Sequence, residues 1–466
     1  MNINPSIFKS YDIRGIYPAD INEENISIII KAIYSFFVYS LKKNPLRIIL
    51  GHDMRLSSPI LFKMAKETLV KMGAQVIDIG LSTTPSVYFA VLHYKSDAGI
   101  QISASHNPKE YNGLKFLYQK NGNLIKVAKN TGMEEVKNIA LKENFANNVK
   151  GGKIIKKNII DEEINFAYSS VKAHNLKPFK VVADPANAMG IIFLEKIFQK
   201  IPGSKLIKMN FELDGTFPAH EANPIKFETL KELQKKVVDE KADFGIATDG
   251  DADRIYFIDE KGSIIPATLI TSLIAREILL KKKGETILVD IRYIKNAKKI
   301  IEKFGGKMKI SIVGHSLITS HLNKSRAAFA GESSGHYFFR ETGGAESSIM
   351  VIYHVVNVLS HDPRPISVIL KELQSAYESG EYNFKLPENI QSYTILEKIT
   401  ALYKDGVISR LDGLSINFPN WRFNIRSSNT EPLIRLNLEA STKDLMKKKV
   451  EEIKNKILSL GAIISD

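Results

Sequence analysis

The chain has 466 residues, which is too long for one ordinary domain and suggests three or four. Its apolar fraction of 44% is normal for globular proteins, so each domain can bury a core. The chain contains no cysteine, which excludes disulfides, thiol nucleophiles and thiolate metal sites. A cysteine-free composition also fits a cytoplasmic location, which we expect for this protein.

The formal charge of +14 does not predict nucleic-acid binding, because the basic residues are dispersed. The densest basic runs, Lys281–Lys283 and Lys447–Lys449, lack the interleaved aromatic residues of nucleic-acid sites. An anionic small molecule, or simply a lysine-rich proteome, explains the charge better. The most apolar segment, Ile26–Leu41, is interrupted by Lys31 and is shorter than the roughly 20 residues of a membrane span. We therefore expect a buried helix there, no membrane association and a soluble protein; no signal-peptide pattern precedes it.

Strand and helix patterns alternate in the first part of the chain. The helix after the first strand is predicted to have Ser58 as its N-cap and Pro59 at its first position. The predicted elements are a strand at Arg47–Gly51, a helix from Ser58, a strand at Gln75–Ile79, a helix at Pro85–His93 and a strand at Ala98–Ser103. This order predicts a parallel sheet covered by helices, with ligands at the carboxyl ends of its strands.

The same alternation of strands and helices recurs twice, and a different pattern follows Pro363–Pro365. We predict three similar α/β domains with mixed, largely parallel sheets, and a smaller C-terminal α+β domain. The predicted boundaries are 1–150, 151–258, 259–367 and 368–466. In each of the first three domains, a buried strand ends in a polar loop.

The first of these loops is Ser103–Pro108, which follows an apolar strand with two hydroxyls, an imidazole and an amide. Ser105 stands where a nucleophile or a phosphate carrier would stand, at the exposed end of a rigid strand. These residue types are also ordinary turn formers, so a plain loop is the alternative interpretation.

The second loop, DGDADR at 249–254, places three carboxylates at alternate positions. The spacing imitates a calcium-binding EF-hand loop, in which Glu260 would be the twelfth residue. Arg254 occupies the position that the EF-hand turn requires to be glycine, and strands rather than helices flank the loop. A magnesium site formed by Asp249, Asp251 and Asp253 fits better, and a solvated acidic turn is the alternative.

Two further loops carry weaker signals. GESSGH at 331–336 offers a carboxylate and hydroxyls that suit sugar hydroxyls, although such sequences occur in many turns. RSSNTEP at 426–432 combines a guanidinium with hydroxyls, an amide and turn N–H groups, which suit a phosphate dianion. A hairpin turn stabilised by its own serine and asparagine side chains explains the latter equally well.

Together the four loops resemble those of the α-D-phosphohexomutases, and within them the phosphomannomutase/phosphoglucomutase group. SASHNP followed by YNGLK is similar to the family's phosphoserine loop, DGDADR to its magnesium loop, GESSGH to its sugar loop and RSSNTEP to its phosphate loop. Supporting matches lie at 8–15, 51–55, 214–218 and 313–316. The resemblance covers essentially the whole chain and implies four domains around a central cleft, each contributing one loop.

The resemblance also implies a role for individual residues. Ser105 would be the phosphorylated serine and would bind magnesium together with Asp249, Asp251 and Asp253. The other implied catalytic residues are His106, Lys115, Arg14, Arg254 and His315. The implied substrate-binding residues are Tyr11, Arg292, Glu332, Ser334, His336, Arg426, Ser428, Asn429 and Thr430. A proton must also be taken and returned, for which Lys115, His315 and His336 are candidates.

The implied activity is reversible phosphoryl transfer between O6 and O1 of a mannose or glucose phosphate. It would use one Mg²⁺ per chain and a hexose 1,6-bisphosphate as activator and intermediate, in a monomer or small homo-oligomer. The alternatives are a glucosamine or N-acetylglucosamine phosphate mutase, a metal-dependent sugar phosphatase and a catalytically silent sugar-phosphate-binding protein. The sequence departs from the family pattern at His52, at Ser103 and in residues 342–347, where paired aspartates are absent.

Overall fold

A computed structural model of the protein describes residues 3–387, 390–427 and 433–465. Four β-sheets follow one another along the chain, and helices cover them. The first three sheets combine parallel and antiparallel strands, and the last is antiparallel throughout. The predicted fold class is therefore confirmed.

The first sheet has the strand order β1-β5-β4-β2-β3-β7, with β6 paired to β5. Strands β4, β2, β3 and β7 are parallel, as the alternating pattern predicts, and β5 returns antiparallel beside β4. Its strands are β1 Ile13–Ile16, β2 Arg47–His52, β3 Gln75–Leu81, β4 Ala98–Ile102, β5 Tyr111–Lys120, β6 Asn123–Lys126 and β7 Lys153–Lys156. Its helices are α1 Ile26–Leu41, α2 Ser58–Lys71, α3 Thr84–His93 and α4 Met133–Lys142.

The predicted cap of α2 is wrong. Ser57 precedes the helix, and Ser58 lies inside it, where its Oγ donates a 2.6 Å hydrogen bond to Asp53 Oδ1. The groups left free at a helix N-terminus are N–H donors, so the acceptor for the Ser58 hydroxyl proton is the Asp53 carboxylate. Pro59 lies in the first turn, one position later than predicted.

The second sheet has the order β12-β11-β10-β8-β9. Its parallel strands are β8, β9 and β10; β11 pairs antiparallel with β10, and β12 pairs antiparallel with β11. The elements are α5 Ile160–Val171, β8 Lys180–Asp184, α6 Ile191–Gln199, β9 Lys205–Lys208, α7 Lys231–Asp239, β10 Phe244–Thr248, β11 Ile255–Asp259 and β12 Ile264–Ile265.

The third sheet repeats this arrangement in the order β14-β13-β15-β16-β17. Its elements are α8 Ala267–Lys281, β13 Thr286–Asp290, α9 Lys295–Lys303, β14 Lys307–Ser311, α10 His315–Ser325, β15 Phe329–Gly331, β16 Tyr337–Phe339, β17 Ala345–Glu346 and α11 Ser348–His361. Helices α5 and α11 pack together, with the rings of Tyr168 and Tyr353 5.5 Å apart, so the second and third sheets share one hydrophobic core.

The C-terminal sheet has the order β19-β20-β21-β22-β18-β23 and a core of its own. Helix α12 Ile366–Leu373 precedes this sheet and packs into the core shared by the second and third sheets. The elements of the C-terminal sheet are β18 Tyr377–Lys385, α13 Ser392–Leu402, β19 Val407–Ser409, β20 Leu414–Asn417, β21 Trp421–Ser427, β22 Leu433–Ala440, α14 Lys443–Ser459 and β23 Ile463–Ser465. In the parts of the chain that the structure describes, no helix has both the length and the apolar character needed to cross a membrane.

Candidate active site

Ser105 lies in the loop that follows the fully buried strand β4. Its backbone is left-handed, with φ of 51°, and its side chain is 2% exposed. A residue with a Cβ seldom adopts this conformation, so the surrounding loop must hold it. Ser103 Oγ accepts a 2.9 Å hydrogen bond from the Ser105 backbone N–H, which gives this second hydroxyl a structural role.

The acidic loop 249–254 leaves strand β10 and meets the Ser105 loop directly. Ser105 Oγ donates a 3.1 Å hydrogen bond to Asp249 Oδ2. A Cβ added to Gly250 would lie 2.1 Å from the carbonyl oxygen of Ser105, so this close approach requires glycine. The serine predicted as nucleophile and the predicted metal loop are therefore in contact.

The three aspartates predicted as metal ligands form a compact, buried group. One ligand oxygen from each of Asp249, Asp251 and Asp253 lies within 4.8 Å of the others. Asp251 Oδ1 is buried and has no hydrogen-bond partner among the described residues. Burial, together with the charges of Asp253 and Asp251, raises the pKa of Asp249 well above its usual value. Clustered carboxylate oxygens with an unused buried acceptor fit a hard cation such as magnesium.

Lys115 supplies positive charge to this acidic group. It lies on β5, opposite Gln101 of β4, and its Nζ is 2.7 Å from Asp251 and 2.6 Å from Asp253. Burial opposes the charged form, but the charges of Asp251 and Asp253 outweigh it and raise the pKa of Lys115. The side chain is therefore an ammonium ion against the acidic loop that Ser105 contacts.

Arg14 contacts the Ser105 loop, and His106 belongs to it. The Nε of Arg14 donates to Asp12 at 2.7 Å, and its Nη1 donates to Asn107 of the loop. His106 Nδ1 is 3.3 Å from Ser105 Oγ. Burial and the positive charges around it, first that of Arg254 and then that of Arg14, lower the pKa of His106 well below its usual value. Its imidazole is therefore neutral.

His336 joins the predicted sugar loop, 331–336, to the acidic loop. Its Nδ1 lies 2.8 Å from Glu332 Oε2, and its Nε2 lies 3.2 Å from Asp253 Oδ1 and from Arg254 Nε. Burial lowers the pKa of His336, but Asp253 and Glu332 outweigh burial and raise it to about 9. His336 is therefore a buried cation held between two carboxylates.

Arg292 organises the other side of the sugar loop. It forms a two-point ion pair with Asp290, at 3.1 and 3.0 Å, and its Nη2 lies 3.2 Å from Glu332 and 3.4 Å from Ser334 Oγ. Although burial opposes its charged form, His336 and Arg292 lower the pKa of Glu332 well below its usual value. Glu332 thus stays a carboxylate, which can accept hydrogen bonds from hydroxyl groups.

His315 begins helix α10, and its ring lies 5.4 Å from that of Tyr11. Its Nδ1 is 3.9 Å from Glu346 Oε1, and Glu346 is in turn paired with the buried Lys126. Burial, followed by the charges of Lys126 and Lys115, lowers the pKa of His315 well below its usual value. This second imidazole is also neutral.

The remaining predicted site residues are the phosphate-binding residues of the C-terminal domain. Arg426, at the end of β21, forms a 3.0 Å ion pair with Glu381 of the same sheet and does not contact the Ser105 group. The predicted phosphate-binding residues Ser428, Asn429 and Thr430 lie outside the described residues.

Family models of the phosphoglucomutase/phosphomannomutase domains match this chain in order. The α/β/α domains I, II and III match residues 5–145, 160–262 and 267–377, and the C-terminal domain matches residues 381–456. The chain belongs to the phosphoglucomutase/phosphomannomutase family. It is a phosphohexomutase, an isomerase of hexose phosphates.

Individual relatives agree with this family. The chain is 36% identical to a phosphomannomutase of Methanocaldococcus jannaschii, over 98% of both chains. It is 35% identical to a phosphomannomutase of Vibrio cholerae, over 97% of this chain and 98% of that one. A crystal structure of a phosphoglucomutase/phosphomannomutase family protein from Burkholderia thailandensis superposes with a TM-score of 0.88 at 26% identity, covering 99% and 100% of the two chains.

Sequence reasoning missed several polar residues of this phosphohexomutase. Thr84 donates a 2.5 Å hydrogen bond to Asp251, and Asp290 holds Arg292 and accepts from the Ser333 backbone N–H. Asp290 stands at the carboxyl end of a buried strand, which is the signal that identified the other loops. Asp12 pairs with Arg14 two residues along the chain, within the segment 8–15. Glu346 pairs with Lys126 of another sheet, and no local pattern marks it.

Proposed function

We propose that this phosphohexomutase moves a phosphoryl group between O6 and O1 of mannose or glucose phosphates through phosphorylated Ser105. The observation that carries the proposal is the hydrogen bond from Ser105 Oγ to Asp249, beside a buried group of three aspartates and Lys115. Mannose is favoured by the phosphomannomutase relatives that cover nearly the whole chain. Glucose is included because the family models and the structural relative are named for both activities.

The transfer begins with a phosphoryl group on Ser105. The bond between Ser105 Oγ and phosphorus breaks and a sugar hydroxyl oxygen bonds to phosphorus, while the hydroxyl proton passes by way of a base to Ser105 Oγ, which leaves as a hydroxyl. The product is a hexose 1,6-bisphosphate. It turns over in the cleft, and its other phosphoryl group returns to Ser105 by the reverse exchange. Each half-reaction conserves phosphate, so no water is consumed.

His315 is one candidate for the proton-transfer residue, beside Lys115 and His336. Burial and the neighbouring Lys126 keep its imidazole neutral, so it has a nitrogen that can accept a proton. Lys115, which pairs with Asp251 and Asp253, serves as a fixed positive charge close to the moving group. A magnesium ion bound by the three aspartates and an oxygen on Ser105 would neutralise charge on the phosphoryl group.

The remaining cleft residues bind substrate in this proposal. Glu332, Ser334 and His336 would accept and donate hydrogen bonds to sugar hydroxyls, because all three lie together in the loop after β15. Arg292 and Tyr11 would line the same cleft, and Arg14, His106 and Arg254 would surround the phosphoryl group. Arg426, Ser428, Asn429 and Thr430 would hold the phosphate that is not reacting. A domain division at 1–150, 151–258, 259–367 and 368–466, a cytoplasmic location and a monomer or small homo-oligomer stay predictions.

One substrate panel tests the proposal. Mannose, glucose, glucosamine and N-acetylglucosamine 1-phosphates are incubated with the enzyme, magnesium and a trace of glucose 1,6-bisphosphate, and the 6-phosphates and inorganic phosphate are measured. We expect 6-phosphate from mannose or glucose 1-phosphate without steady phosphate release. Preference for an amino sugar would overturn the sugar assignment, and phosphate release without isomerisation would indicate a phosphatase.

Mass spectrometry tests the phosphoserine directly. Protein incubated with glucose 1,6-bisphosphate should gain one phosphate, on the peptide that contains Ser105. The Ser103→Ala variant is the matched control, since it keeps Ser105 and should still be phosphorylated. Phosphate on any other residue would contradict the mechanism.

A further inference from the structure

Arg55 is fully buried against the Ser105 loop, and its guanidinium donates to four backbone carbonyls, three in that loop and one at the start of β5. Its Nη2 donates to Ser105 at 2.8 Å and to Asn107 at 2.6 Å. Its Nη1 donates to Pro108 at 2.7 Å and to Tyr111 at 2.9 Å. One side chain thus donates hydrogen bonds to carbonyl groups at both ends and in the middle of the turn.

The charge of Arg55 is balanced by Asp53. The two side chains are fully buried, and Arg55 Nε lies 3.3 Å from Asp53 Oδ2. Asp53 Oδ1 is already occupied by the Arg55 backbone N–H and by the hydroxyl of Ser58. The carboxylate is therefore fixed, and it fixes the guanidinium that faces the loop.

The second domain covers the opposite face of Arg55. The ring of Phe217 lies 5.2 Å from the guanidinium carbon, within the range of a cation–π contact. Gly215 lies so close that an added Cβ would be 2.8 Å from the Arg55 Cα. The segments 51–55 and 214–218, whose function the sequence leaves unexplained, therefore meet at this one side chain.

We propose that Arg55 is a positioning residue that holds Ser105 in its left-handed conformation, and that Phe217 locks Arg55 from the second domain. The inference rests on Ser105 being the phosphorylated residue. Ser105 occupies a conformation that it would not adopt freely, and the four carbonyl contacts stabilise the turn that contains it. Since Asp249 belongs to the same domain as Phe217, this arrangement also sets the distance between Ser105 and the acidic loop.

Lysine cannot replace this geometry. An ammonium group carries three rotatable donors on a flexible stem, whereas the guanidinium is a planar fork with five fixed donors. Arg55→Lys keeps the ion pair with Asp53 but loses the simultaneous contacts with four carbonyls. A small displacement of a reacting group costs about a hundredfold in rate.

The test compares Arg55→Lys with wild type in three measurements. We expect kcat, and the rate at which glucose 1,6-bisphosphate phosphorylates Ser105, to fall about a hundredfold, with KM changed less than about threefold. Phe217→Leu, which keeps an apolar side chain but loses the aromatic face, should lower the phosphorylation rate about three- to tenfold. Arg340→Lys is the matched control, because Arg340 forms a two-point pair with Glu285 in the third domain. It should stay within about twofold of wild type.

Hydrogen exchange gives a readout that does not depend on the reaction. The backbone amides of Ser105, Asn107 and Tyr111 are hydrogen-bonded within the loop. Arg55→Lys should raise their exchange at least tenfold while leaving exchange in β10 unchanged. Unchanged loop exchange would overturn the inference.

The outcomes separate the two proposals. If wild-type protein takes no phosphate on Ser105, the proposed function fails, and loop exchange still decides the role of Arg55. If folded Arg55→Lys protein is phosphorylated within about threefold of the wild-type rate, the positioning role is wrong whatever the loss of stability. If Arg55→Lys protein does not fold, the Phe217→Leu variant tests the positioning role of Arg55. An unchanged rate of Ser105 phosphorylation in Phe217→Leu protein would contradict the inference.

Discussion

Replacing Glu163 by Gln should stabilise the protein at about pH 8 much more than at about pH 5. Glu163 lies on α5 at the contact with α3, is 3% exposed, and accepts a 2.5 Å hydrogen bond from the Ser86 hydroxyl. Burial, partly offset by this bond, raises its pKa from 4.5 to about 7. The buried carboxylate therefore binds its proton more tightly than it does in the unfolded chain.

The sign and the size of the change in the free energy of unfolding with pH follow from proton linkage. Below about pH 4.5 both states hold the proton, and between about pH 4.5 and pH 7 only the folded state does, so stability falls as pH rises through this window. Above the folded pKa the loss is complete and amounts to about 3 kcal/mol, because each pKa unit corresponds to about 1.4 kcal/mol. At about pH 5 the loss is only about 1 kcal/mol. Glutamine has no titratable proton, so the Glu163→Gln protein does not lose this stability as the pH rises.

Thermal unfolding of both proteins at the two pH values measures this effect. For a chain of 466 residues, the difference of about 2 kcal/mol between the two pH values corresponds to about 2 °C in Tm if the whole chain unfolds together, and to more if one domain unfolds first. Any pH-independent effect of the glutamine amide on stability cancels, since the prediction concerns the change in the Tm difference between the two pH values. The His93–Glu162 pair joins the same helices and is present in both proteins.

Glu67→Gln is the matched control, because Glu67 is exposed on α2. Its Tm difference from wild type should be small and equal at both pH values. If Glu163→Gln shows the same Tm difference at about pH 5 and about pH 8, the buried carboxylate does not have a raised pKa.

Further perturbations test the site and the contact between sheets. Ser105→Ala should lose nearly all mutase activity in the assay of 6-phosphate formation, and retained activity would exclude Ser105 as the phosphate carrier. Lys115→Met leaves Asp251 and Asp253 without their ammonium partner, so kcat should fall about 10²- to 10⁴-fold; a fall below tenfold would contradict its electrostatic role. Treatment with EDTA should abolish turnover and added magnesium should restore it, whereas activity in excess EDTA would exclude a metal-dependent step. Lys126→Met leaves the buried Glu346 unpaired and should cost about 3–5 kcal/mol in thermal unfolding, and the additional change Glu346→Leu should recover most of this loss; no recovery would contradict the pairing.

Much of the fold can be predicted from the sequence, because its signals are local. The alternation of apolar strands and amphipathic helices is a property of neighbouring residues, and it predicted the parallel strands β2, β3 and β4 and the buried helix α1. The same reasoning located Ser105 and the acidic loop, since polar residues that directly follow a buried strand are visible in the sequence. The cap of α2 was predicted wrongly, because the hydroxyl of Ser58 donates to the Asp53 carboxylate, which only the folded loop places nearby.

The sequence by itself therefore determined which residues stand at strand ends and which chemistry they can perform. It could not reveal that Arg55 reaches four carbonyls in and next to the Ser105 loop, that Phe217 covers Arg55, or that Lys126 pairs with Glu346 in another sheet. Nor could it separate the two imidazoles held neutral from His336, which is held charged. Those properties depend on burial and on charges brought together from distant parts of the chain, and only the tertiary structure decides both.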